Sequence, residues 1–182
     1  MIRESSEVEA ISFDRAGTTD LFRFAFLLAL ALTSPLVFSQ PVTGSFVNAA
    51  LFLSAAFFGM RKESYLLATV PSLVAISTGQ LPIVFASMVP FIMAGNLLLV
   101  FLADLGFRRN WSFPAVAALS AIAKSALLLA VGLSFSVTLF RGLPIAAKVP
   151  TMFGWLQLAT ALAGAVVAYP ILRLAKGVFR ED

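Results

Sequence analysis

An all-α integral membrane protein with six transmembrane helices and both termini cytoplasmic is predicted by three features of this sequence. Hydrophobic residues make up 60% of the 182, charged residues only 12%, and the mean hydropathy is +0.96. The apolar residues come in runs approaching the ~20 residues that a helix needs to cross a bilayer. The basic residues lie between those runs and form no patch of their own. A chain of this length holds about six such spans and has no room for a soluble catalytic domain. The net charge of +4 and pI near 10.0 therefore read as topology signals, not as a nucleic-acid footprint.

The first run, Leu21 to Phe38, follows a segment, 1–20, that carries Glu4, Glu7, Glu9 and Asp14. A cleavable signal begins with a basic region, so this segment is expected to be retained on the cytoplasmic side. The second and third runs, Ser45 to Gly59 and Tyr65 to Ser77, are short. Such spans tilt little, thin the bilayer or extend into their loops. The fourth, Pro82 to Ala103, stops just before Asp104. Pro71 and Pro90 are expected to kink their helices, with neighbouring helices satisfying the freed carbonyls. The fifth, Trp111 to Leu133, is apolar apart from Lys124 and a few small polar residues. The sixth, Thr151 to Leu174, leads to a cytoplasmic tail, 176–182. No internal repeat stands out, so 21–175 is expected to form one six-helix membrane domain.

Loop charge sets the orientation. With both termini inside, the inner side holds Arg3, Arg15, Arg23, Arg61, Lys62, Arg108, Arg109, Arg173, Lys176 and Arg180, ten of the 13 basic residues. The outer side holds Arg141 and Lys148, and Lys124 is buried. That is the distribution of the positive-inside rule. The outer loops are then polar and mostly neutral, and the longest, roughly Ser134 to Pro150, carries the two outer charges. This asymmetry fits a protein that captures something from outside.

Lys124 is the most informative residue. A lysine at a helix centre costs roughly 2.5 to 3.5 kcal/mol on insertion scales, so it should face the bundle interior. Ala117, Ser120, Ala121 and Lys124 share one helix face, and no carboxylate lies well inside any span. Two readings stand side by side: a ligand contact, or a structural lysine that bonds carbonyls at a proline kink or snorkels. Asn96, deep in the fourth span, reads equally as interhelical glue or as a site residue. Gln157 at the outer end of the sixth span, Asn48 early in the second, and Gln40 and Gln80 in the outer loops complete a candidate substrate-binding set, with the Arg141 loop as a cover. The stripe Thr160, Ala161, Gly164 and Ala168 reads as packing. Trp155 is either an interfacial anchor or a platform for a planar ligand.

Several chemistries are excluded. With no His and no Cys there is no disulfide, no thiolate or imidazole metal site, and no His-based triad. A Ser/Lys pair using Ser120 or Ser125 would place both groups on one helix with no oxyanion motif in view. No metal, no cofactor and no enzymatic activity are expected.

Six spans with both termini inside, a small-xxx-small patch at Ala25 and Ala29 on the first helix, and short second and third spans resemble the substrate-binding S component of energy-coupling factor (ECF) transporters. The stretches Pro41 to Ala50, Thr78 to Pro82 and Val89 to Asn96 are also similar to small prokaryotic membrane proteins placed in that group. The resemblance covers most of the chain from Leu21 to Leu174. It implies a protein of the prokaryotic plasma membrane that binds a vitamin or related small molecule from outside. It also implies that Ala25 and Ala29 dock onto a transmembrane coupling subunit driven by two ATPase subunits. The missing Gly-Lys-Ser/Thr phosphate loop agrees with ATP hydrolysis lying in partners, and the lack of His weighs against the nickel and cobalt members. Substrate contacts differ between members and do not carry over. The alternative is a membrane scaffold resembling the rod-shape MreD proteins, with protein partners in place of a ligand.

Overall fold

The computed structural model describes the backbone of residues 2–178 and the side chains of residues 17–175. Six α-helices follow in chain order: α1 (Ile2–Val37), α2 (Gln40–Phe58), α3 (Lys62–Ser77), α4 (Val89–Arg108), α5 (Phe113–Val137) and α6 (Leu156–Val178). A 3-10 turn, Ile83–Met88, precedes α4, while a second, Pro144–Lys148, and a π-helical turn, Pro150–Trp155, lead into α6. Among the described residues there is no strand. Five segments are long and apolar enough to cross a bilayer: Gly17–Val37, Gln40–Phe58, Ile83–Arg108, Phe113–Val137 and Pro144–Ala175. The chain is a helical, multi-pass membrane protein.

The third predicted span falls short of that standard. α3 has 16 residues, about 24 Å of rise against a hydrocarbon core of roughly 30 Å. It nevertheless runs alongside α1 for most of the bundle's depth. At one end Arg61 pairs with Asp20 at 3.1 Å, and just past the other Gln80 donates to the Pro35 carbonyl at 2.7 Å.

Proline placement explains several helix starts. Pro41, Pro90 and Pro114 lie in the first turn of α2, α4 and α5, where a missing N–H costs nothing. The expected kink at Pro90 is thus not found: the preceding turn is 3-10, and α4 begins at the proline. Pro71 does sit inside α3.

Like ends of the helices gather charge. Arg23, Arg61, Lys62, Arg108, Arg109 and Arg173 lie at the end shared by the α2–α3 and α4–α5 turns, together with Asp20, Glu63 and Asp104. Arg108 pairs with Asp104 at 2.9 Å, and Gly59, which ends α2 at φ 60°, leaves room for that pair. Arg141 and Lys148 lie at the opposite end. The acidic segment before Gly17, with Arg3 and Arg15, and the tail charges Lys176 and Arg180, all expected on the cytoplasmic side, lie outside the described side chains.

α2 and α6 form the tightest contact. Ala49, Ala161, Ala165 and Ala168 are buried between them, and a Cβ on Gly164 would sit 2.7 Å from the Ala49 nitrogen and the Ser45 carbonyl oxygen. The small stripe on α6 is therefore a close-packing surface. A second apolar cluster caps the weakly charged end: Phe85 meets Phe140 and Phe153 edge to face at 5.2 and 5.1 Å. α1 lies at the periphery. It buries Leu27, Ala31 and Ser34, while Leu21, Phe22 and Phe26 stand exposed beside Ala25 and Ala29.

Candidate functional site

Helical periodicity turns Ala117, Ser120, Ala121 and Lys124 to the buried face of α5. Lys124 is 2% exposed, and its Nζ donates to Asn48 Oδ1 at 2.6 Å. The lysine neither snorkels nor rests on proline-freed carbonyls; its partner is a side-chain amide on α2. Asn48 is itself fixed, with Nδ2 donating to the Gly44 carbonyl at 2.8 Å and to Thr160 Oγ1 at 3.3 Å. Thr160 in turn donates to the Gln157 carbonyl at 3.2 Å. One polar chain thus links α6, α2 and α5.

An ammonium has three donors, and among the described residues one is used, on a neutral acceptor. The described carboxylates, Asp20, Glu63 and Asp104, all lie at the basic end. Ser120 Oγ and Ser125 Oγ are buried without hydrogen-bond partners, so neither is engaged by Lys124 as a nucleophile would be.

Lys124 lies on the wall of a cavity of about 100 Å³. Gln40, Asn48, Gln80, Asn96 and Gln157 share that wall, so the structure brings six of the seven candidate substrate-binding residues together. Ile92, Met152, Phe153 and Leu156 supply apolar surface. A few convergent polar groups in an otherwise apolar concavity are the usual make-up of a small-molecule site.

The six residues do different things. Asn96 Nδ2 donates to the Ala68 carbonyl at 2.8 Å and to Ser72 Oγ at 3.4 Å, tying α4 to α3 near Pro71, whereas its buried Oδ1 has no partner among the described residues. It does not bond Lys124. Gln80 Nε2 lies 2.7 and 2.6 Å from the Pro35 and Phe38 carbonyls and 3.2 Å from Thr43 Oγ1. That amide fastens the α3–α4 loop to the α1–α2 turn over the cavity's weakly charged end. Gln157 Nε2 reaches the Met152 carbonyl at 3.5 Å, within the π turn. Such turns recur at functional sites. The Gln40 amide makes no hydrogen bond with the described residues and lines the cavity directly.

Arg141 stands apart. It is exposed on the α5–α6 loop and absent from the cavity wall. The loop's grip on the bundle is apolar: Phe140, 3% exposed, packs on Phe85 and Phe135. Trp155 is 74% exposed and faces away from the cavity, so it offers no platform there. Sequence reasoning overlooked Ser72, the Thr160–Asn48 bond and the π turn. Ser72 had a signal, since a hydroxyl next to Pro71 in an apolar run marks a place where backbone and side chain both need partners. The π turn had none beyond Pro150 and Gly154. No family model, curated protein or solved structure matches this chain, and its function is read from the chemistry of this cavity.

Proposed function

We propose that this chain is the membrane-embedded substrate-binding subunit of an importer of the energy-coupling factor type. It takes a small molecule from outside into the Lys124 cavity and hands it on through a transmembrane coupling subunit and two ATPase subunits. One observation carries the reading: the buried Lys124, whose amine has one hydrogen-bond acceptor among the described residues, lines a polar-apolar cavity whose wall has no carboxylate. A ligand supplying the missing acceptors accounts for a charge that is otherwise costly in a membrane. An MreD-like scaffold has no use for such a cavity.

The topology within this reading is six crossings with both termini cytoplasmic, in a prokaryotic plasma membrane. The charge distribution supports it, with six described basic side chains at one end of the bundle and two at the other. The chain lacks cysteine, so single cysteines report cleanly. Arg141→Cys should react with an impermeant maleimide in intact cells. Lys62→Cys and Arg109→Cys should react only after permeabilisation, and an outward Arg109 would overturn the six-crossing arrangement.

Ala25 and Ala29 serve as the docking patch, and their exposure on the peripheral helix α1 is compatible with that role. Ala25→Trp and Ala29→Trp should abolish uptake by the assembled transporter while the isolated subunit keeps its ligand affinity. Undiminished uptake, or lost binding in the isolated variant, would remove the patch from the mechanism.

A further inference from the structure

We propose that the ligand is a small monocarboxylate that also carries one N–H or O–H donor, its carboxylate on Lys124 and its donor on Asn96. This rests on the reading above that the cavity holds a transported solute. The cavity wall has one cation and no arginine, and among the described residues the side-chain hydrogen-bond partner of Lys124 is the neutral Asn48 amide. One unneutralised positive charge matches one negative charge. A phosphate ester would call for further charged donors, and an amine or metal ion for acidic ligands. Among the described residues no cluster of His, Cys, Asp or Glu could hold a metal.

Asn48 is a positioning residue. Both ends of its amide are spent, on Lys124 and on Gly44 and Thr160, so it aims the ammonium and does not reach the ligand. Asn96 supplies the complementary polarity, because its Oδ1 is a buried acceptor without a donor. Gly95 brings α4 against the lysine stem, where a Cβ would lie 3.4 Å from Lys124 Cγ. Lys124 and Asn96 thus line one cavity from adjoining helices, α5 and α4. Size sets the last limit. A cavity of about 100 Å³ is smaller than the 150 Å³ that accommodates benzene, which points to a ligand of about six non-hydrogen atoms or fewer.

The test uses full-length protein in mild detergent and three probes of matched size, with binding read by calorimetry. Glycolate has both groups, propionate lacks the donor, and glycolamide lacks the charge. The first should bind, and the other two should bind about 10- to 100-fold more weakly, as expected for losing one hydrogen bond, the charge-assisted one giving the larger loss. Asn48→Asp places a carboxylate on Lys124, so it should abolish binding of glycolate. Equal affinity for the carboxamide would overturn the monocarboxylate class. So would Lys124-dependent binding of ethylamine or inorganic phosphate in its place, though that result would leave the importer reading standing. If no probe binds, the identity of any copurifying solute decides: a monocarboxylate supports the proposal, any other solute overturns it, and no solute at all removes both readings.

Discussion

Lys124→Met should cost the protein its ligand while sparing its fold. Removing one member of a desolvated charged pair weakens binding by about 2 to 5 kcal/mol, roughly 30-fold to several thousand-fold in Kd. Methionine keeps most of the stem's volume, so the close approach to Gly95 persists. Asn48 Oδ1 loses its donor, an expense of about 1 to 3 kcal/mol, and this is offset by removing a charge from the membrane interior. Thermal unfolding in detergent should therefore move little. Unchanged affinity for the solute would mean that the ammonium contacts only Asn48. Collapse of the fold would mean that the lysine is interhelical glue, and the scaffold reading would gain ground.

Asn48→Leu should show the opposite pattern. Leucine is close in size to asparagine, but it strands the Lys124 ammonium without a protein acceptor and also frees Thr160. The unliganded protein should lose about 3 kcal/mol or more of stability, since a buried donor with charge is costly to leave unmade. The double variant Asn48→Leu, Lys124→Met has no charge to strand and should recover much of the loss. A double-mutant cycle from thermal unfolding measures this coupling. Additive effects would show that the 2.6 Å contact contributes nothing beyond its two parts.

The placement of Lys124 and its neighbours was legible because a membrane gives polar groups few choices. Lys124, Asn48 and Asn96 are polar side chains in apolar runs, and each had to turn inward and find a partner. Four helices were equally legible from run length; the second run, Ser45 to Gly59, read as short, and the helix gains its length by starting at Gln40. α3 was harder, because its 16 residues are too short to declare a crossing by composition and its placement rests on contacts that its own sequence does not encode. Pairings were not legible. Nothing in the sequence tells Gln80 to grip Pro35 and Phe38, or Lys124 to choose Asn48, since both follow from how α1, α2 and α5 are arranged. Arg141 misled for a related reason. Its charge drew notice on the loop, whereas the loop is anchored by Phe140 and the arginine remains in solvent. Pro90 misled because a proline within an apolar run reads as a kink, and the start of α4 depends on a 3-10 turn that leaves no mark on the pattern.

The most direct measurement is mass spectrometry of small molecules that copurify with the full-length protein in mild detergent, run in parallel on wild type and Lys124→Met. The wild type should carry one small solute near stoichiometric amount, and the variant should carry little or none. No solute with either protein, or the same solute equally with both, would contradict a substrate site at Lys124.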